Sequence, residues 1–455
     1  MRETLVNEKF DTKVEPSDWR YSAAIMGLYK YLDYYGDSGI DFEISDDSIK
    51  FNRSDITEEK YLQFVEYYYD DELHHRKLEK MMQLKECSYE QIKLANELMK
   101  GNSILKKVFG KLKFDGTNQK EILELIHTNR GALIKETYRN KSNMYVNYAN
   151  PERLLEEGKK FCRLWGYYVD GGRKSKAIAY NFDVNTFVSQ DDLLFDFIPF
   201  GFLGDRETFF INDNFSVKQM IRTNREFEES IKNVVAVSEG KSKDARKILF
   251  KLIQNVSDFL DYDVEVIVKK VVIKPQDGFY ETLYIRKESI DILRKLKIYE
   301  PFCFSFKIND NYYMNIQKEV MGCILNLVRT DALIELFLKQ NSEYLVSLFI
   351  EVNRLICGGG EEMKQSMKMA YACAKEVAGK LPENKRESYR QKLTSAIVFK
   401  DYDRCCQILL QLSNYADVPF EFAYDLFENF EENKDIAYTF INALTKKKED
   451  KQEDE

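Results

Sequence analysis

The chain has 455 residues, 44% hydrophobic and 32% charged, with only 7 prolines and a formal net charge of −8. That is enough apolar material for two or three packed domains, and it excludes collagen-like, mucin-like and linker-like chains. With only 3 histidines, the chain has little scope for imidazole-based metal or acid–base chemistry.

The opening Met1–Glu8 lacks the charged-then-apolar plan of a signal peptide, and no apolar run approaches the ~20 residues that span a bilayer. A cytoplasmic protein without membrane contact is expected. The eight cysteines, at positions 87, 162, 303, 323, 357, 373, 405 and 406, form no C-x-x-C pair and read as buried thiols. No metal site and no cofactor is assigned.

In chain order, Asp18 is placed to cap a helix over 19–35, with Tyr21, Ala24, Ile25, Leu28, Tyr31 and Leu32 at helical spacing. Residues 42–44 and 49–51 alternate around Ser45-Asp46-Asp47 as a short hairpin. Helical periodicity follows over 58–85 and 89–138, with a break near Phe114-Asp115-Gly116, and 140–150 reads as a polar loop. Past a helix ending near Trp165, a turn at 170–174 leads to predicted strands at 177–182, 193–202 and 208–211.

A helical stretch over 217–260 precedes a hairpin made by 264–273 and 280–285 around Pro275–Gly278. A second hairpin pairs 304–308 with 312–314. From 316 to 445 every segment is helical, with breaks at 357–360, 381–383 and 418–419, and Asn384 with Glu387 predicts a capping-box start. The expected fold class is α+β. A mixed α/β amino-terminal body with β-hairpins occupies 1–314, a carboxy-terminal all-α helical bundle 315–446, and a charged tail 447–455.

Catalytic motifs are scarce. His74 and His75 are adjacent, so on a helix they diverge by ~100° and cannot share a metal-binding face. Asp70, Asp71 and Glu72 just before them keep a metal-dependent nuclease open as an alternative, although acids followed by Arg76 and Lys77 are ordinary helix-surface electrostatics. Gly358-Gly359-Gly360-Glu361-Glu362 lies between helical flanks and reads as a helix break followed by first-turn acids. No phosphate-cradling loop or nucleophile elbow is present, so no catalytic residue is assigned and a non-enzyme is expected.

Charge is unevenly placed. Residues 1–100 carry 14 basic and 22 acidic side chains, whereas 101–176 carry 16 basic and 8 acidic. In that block Lys106, Lys107, Lys111, Lys113, Arg130, Lys135 and Arg139 interleave with Tyr138, Tyr145, Tyr148, Trp165 and Tyr167. Cations for phosphates beside rings for bases are what a nucleic-acid interface needs. The candidate DNA-binding residues are Asn140, Lys141, Asn143, Asn147, Arg163, Arg173, Lys174 and Lys176, with the amides as base-edge donors and acceptors. Arg386 and Arg390, at i, i+4 on a bundle helix, form a second candidate face along which a strand could run.

The segment Asp18-Trp19-Arg20-Tyr21-Ser22-Ala23-Ala24-Ile25-Met26-Gly27-Leu28-Tyr29-Lys30-Tyr31-Leu32 resembles the opening of the large subunit of type I CRISPR interference complexes (Cascade), in particular the I-A/I-B-like branch. The layout, ending in Ala437-Tyr438-Thr439-Phe440-Ile441-Asn442-Ala443-Leu444, is similar over most of the chain. The resemblance implies a non-catalytic antiviral-defence subunit joined to crRNA-bound Cascade backbone subunits. Such a subunit recognises the protospacer-adjacent motif in target double-stranded DNA, holds the opened strands and helps recruit a helicase-nuclease. Relatives with a zinc-finger C-x-x-C pair have no counterpart here. The resemblance also implies a small subunit made from an internal start, for which Met314 and Met321 stand at the expected boundary.

Overall fold

A computed structural model describes residues 9–84, 87–157, 162–166, 191–204, 208–213, 215–237, 263–270, 278–296 and 300–444. The chain divides into two compact units, Met1–Tyr284 and Ile285–Glu455. The α+β class is as expected. The division falls upstream of residue 314, so the second predicted hairpin and the helix before it belong with the carboxy-terminal helices.

The first unit opens with β1 (Thr12–Val14), α1 (Trp19–Gly36), β2 (Phe42–Ile44) and β3 (Ile49–Phe51). The strands form an antiparallel sheet in the order β1-β3-β2, with Phe51 opposite both Thr12 and Phe42. Asp18 caps α1 as expected, its Oδ1 accepting the Arg20 amide at 2.8 Å, a bond that contributes about 1 kcal/mol. Then come α2 (Glu58–Tyr69), α3 (His74–Met82), α4 (Tyr89–Leu98), α5 (Ser103–Phe109), α6 (Gln119–Thr128) and α7 (Arg130–Asn140). A 3-10 turn at Asp70–Glu72 separates α2 from α3. Leu78, Met82, Leu105, Ile122 and Leu133 close a small core among α3–α7, separate from the larger one around α1.

Residues 193–202, read as a strand from sequence, are a 3-10 turn (Leu193–Phe197) running into α8 (Ile198–Gly201). An unbroken apolar run carries no periodicity to separate the two states. What selects the helical form is α1: Phe195, Phe197, Ile198 and Phe200 are all buried in the core that α1 dominates. The unit is completed by β4 (Leu203–Gly204), β5 (Thr208–Asn212), α9 (Val217–Val237), β6 (Val264–Lys270) and β7 (Phe279–Ile285), in the sheet order β4-β5-β6-β7. The buried Asn224 of α9 bonds both the amide and the carbonyl of Ile211, locking helix to sheet. The predicted strand at 177–182 and the helix beyond Val237 lie outside the described residues.

The second unit holds α10 (Lys287–Lys295), the hairpin β8 (Ser305–Asn309) and β9 (Tyr312–Asn315), and α11 (Ile316–Asn326). The bundle continues with α12 (Asp331–Lys339), α13 (Glu343–Ile356), α14 (Glu361–Lys380), α15 (Glu383–Val398), α16 (Tyr402–Ala416), α17 (Ala423–Glu428) and α18 (Phe430–Ala443). The predicted capping box at Asn384 does not form: α15 starts at Glu383 with Pro382 as its cap residue, and the Asn384 side chain bonds the neighbouring Lys385 amide. A buried polar knot ties α18 into the bundle, where Asp435 accepts from Arg329 at 2.8 Å and from Asn353 at 2.9 Å. No described helix is long and apolar enough to cross a membrane.

Candidate nucleic-acid interface

The polar loop after α7 is anchored at both ends. Lys141 Nζ donates to the Glu72 carbonyl at 2.6 Å, and Asn143 Nδ2 donates to the Glu72 carboxylate. Beyond the 3-10 turn Tyr145–Asn147, Trp165 donates its backbone amide to Tyr148 at 2.8 Å and its indole N–H to Val146 at 2.7 Å.

Lys141 and Asn143 line a cleft of about 950 Å³ in the first unit. Its walls are Tyr34, Tyr67, Tyr68, Tyr69 and Tyr148, and its cations are Lys30, Lys77, Lys141 and Arg225, set against Asp33, Glu72 and Glu228. Tyr34 and Tyr67 stack at 4.3 Å, and Tyr67 is 62% exposed, so a flat apolar face is available at the mouth. Deeper in, Lys30 bonds Glu228 at 2.7 Å and the Tyr68 hydroxyl at 3.3 Å. Burial pulls the Lys30 ammonium down, but Tyr68 and Glu228 outweigh it and leave the group above the usual lysine range.

Lys77 is exposed in this cleft and makes no ion pair with a described residue. It lies in the acidic first hundred residues, where regional charge counting hides it. Burial, together with the Lys141 and Lys77 ammoniums, holds His74 below the usual imidazole range, so His74 is neutral near pH 7. Lys106, Lys107, Lys111 and Lys113, on and just after α5, are also exposed without an ion pair among the described residues.

The structure withdraws several sequence candidates from the surface. Arg163 is 1% exposed, with its guanidinium 2.6 Å from Asp196 and 3.1 Å from Asp191. It also bonds the Glu156 carbonyl at 2.8 Å, stapling the loop region to residues 191–196. Burial pushes the Asp196 carboxyl up, opposed by Arg163 and by the Tyr145 hydroxyl, which donates at 2.5 Å. Asn147 is buried, and its side-chain amide finds no partner among the described residues. Asn140 stays at the surface, bonded back to the Glu136 carbonyl at 2.9 Å. Arg173, Lys174 and Lys176 lie outside the described residues. The rings Tyr138, Tyr145 and Tyr148 are core side chains, not a stacking platform.

The bundle candidates are likewise interior. Arg390 is 3% exposed and donates to the Leu338 carbonyl at 2.6 Å and to Asn341, satisfying the open end of α12. Arg386, also buried, reaches the Ala378 carbonyl at 3.3 Å in the last turn of α14. The shared i, i+4 face exists but points inward at two helix ends.

The acids near the histidines are bound up in ion pairs. Asp70 holds Arg76 at 3.0 Å and Lys80 at 2.6 Å, Asp71 holds the same Lys80 at 2.6 Å, and His75 bonds Glu66 at 2.7 Å. Among the described residues no three His, Cys, Asp or Glu side chains gather as a metal site.

These features define an α+β protein with a helical carboxy-terminal unit and a tyrosine-walled, lysine-edged cleft. It is a CRISPR-associated protein: the family model described as CRISPR-associated protein Csx8 matches residues 10–444, and the chain belongs to that family. No curated protein matches the chain.

Proposed function

We propose that this chain is the non-catalytic large subunit of a type I CRISPR surveillance complex. In this role it joins crRNA-bound backbone subunits, recognises the protospacer-adjacent motif in target DNA, steadies the opened strands and helps recruit a helicase-nuclease. The observation that carries the reading is the cleft of the first unit, where Lys77 and Lys141 stand beside Asn143 and the exposed Tyr34–Tyr67 stack, within a chain of a CRISPR-associated family. Cations grip phosphates without regard to sequence, amides discriminate base edges, and rings stack on unpaired bases. The buried Arg163 then acts indirectly, holding the Asp196 carboxylate that also accepts from Tyr145, in the segment following Lys141 and Asn143.

The test is to isolate the assembled complex and measure its binding to duplexes whose base pairs flanking the guide-matched segment are randomised. Enrichment of a short motif, with a steep salt dependence, supports the reading. Metal-dependent cleavage by the isolated chain supports a nuclease instead, and salt-insensitive assembly without DNA binding supports a scaffold.

A further inference from the structure

A second cleft, of about 1,030 Å³, lies wholly within the second unit. Its walls are the end of α10 (Lys295, Leu296), α13 (Leu348, Glu351, Arg354, Leu355), the Gly358–Gly359 turn and the face of α14 that carries Lys364, Met367, Lys368 and Tyr371. The spacing 364, 367, 368, 371 is one helical stripe, so a single face of α14 supplies two cations, a thioether and a ring. Leu296, Leu348 and Leu355 supply an aliphatic part of the remaining lining.

The charge in this cleft is one-sided. Four cations meet one lining acid, Glu351, which is taken up by Arg354 in a two-point pair at 2.7 and 2.6 Å. Lys364 is paired with Glu361 at 3.2 Å. Lys295 and Lys368 are exposed and make no ion pair with a described residue. Tyr371 is 50% exposed. A concave site with an apolar wall, a ring and uncommitted ammonium groups fits a ligand that is anionic at one end and flat and apolar at the other. Its size is that of a small organic ligand, not a duplex.

We propose that this cleft binds a nucleotide, with Lys295 and Lys368 on the phosphates and Tyr371 and Met367 against the base. The site is independent of the first-unit cleft, so either can fail without the other. The same chemistry is offered by a free nucleoside phosphate and by an unpaired nucleotide in a strand, and competition separates them.

The experiment titrates the full chain with a fluorescent ATP analogue. Saturable binding is expected, with a combined Lys295→Gln and Lys368→Gln variant about tenfold weaker, since two uncompensated charges are lost. Tyr371→Leu should narrow the preference for ATP over inorganic pyrophosphate. All three side chains are exposed or half-exposed, and an unchanged melting temperature confirms that the variants are folded. ATP competing better than a short oligothymidylate assigns the site to free nucleotide, and the reverse order assigns it to a strand; both uphold a nucleotide site. Absence of saturable binding, or an affinity that the lysine variants leave within about twofold, overturns it.

Discussion

A Cβ on Gly27 would lie 1.9 Å from the carbonyl oxygen of Phe197, and one on Gly201 would lie 2.4 Å from the carbonyl oxygen of Ala23. Two glycines therefore let α1 and the segment 193–201 meet backbone to backbone. Alanine is the better helix former by about 1 kcal/mol, so in an isolated helix Gly27→Ala would stabilise. In this protein the clash is with main chain and has no flexible side chain to yield. Gly27→Ala is expected to destabilise the first unit by about 3 kcal/mol or more, read by denaturant unfolding.

Arg390 supplies the second prediction. Replacing it with Met keeps the alkyl stem but removes the bonds to Leu338 and Asn341. A loss of about 2 to 3 kcal/mol in the stability of the second unit is expected, because charged donors to buried carbonyls contribute that much. DNA affinity of the folded variant should stay within about twofold of the parent, whereas a strand-contacting arginine would lose affinity without losing stability.

His74 sets a pH dependence. Its folded-state value is held below the ordinary one by burial and by Lys141, Lys77 and His75. As pH falls through the unfolded value of about 6.5, the unfolded chain takes up the proton first, so stability drops on acidification. His74→Asn should make the fall in melting temperature from about pH 7.5 to about pH 5.5 shallower. An identical slope in parent and variant would show that His74 does not contribute.

A product beginning at Met314 or Met321, as the resemblance implies, would lack part of the core of the second unit. Ile290 and Leu293 of α10 are fully buried, and Ser289 donates to the Ile324 carbonyl at 2.9 Å. A fragment beginning at Met314 loses both apolar side chains, about 3 to 6 kcal/mol of burial, and one beginning at Met321 also loses Ile316 and Val320. A fragment beginning at Ile285 should therefore unfold cooperatively at a clearly higher temperature than either shorter one, as calorimetry would read directly.

Local signals in the sequence were sufficient for much of the fold. Asp18 and the 3.6-residue spacing define α1, and Ser45–Asp47 and Asn309–Asn311 define two hairpins. Long-range contacts decide the rest. β1 is three residues long and is held by pairing with β3, and 193–201 is helical where it packs against α1 through Gly27 and Gly201. The site was less legible. A count of charges marks where cations are dense but not which of them are buried: Arg163, Arg386 and Arg390 extend inward to carboxylates and helix ends, while Lys77, in an acidic stretch, is left at the cleft.

Within the assembled complex the first-unit cleft is expected to grip DNA. The most direct measurement compares parent and the Lys77→Gln, Lys141→Gln double variant for affinity to target duplex across a salt series. Loss of two phosphate contacts should weaken binding about tenfold or more and flatten the slope of log affinity against log salt by about 1 to 2. An unchanged affinity and an unchanged slope in a folded, assembled variant would contradict the account.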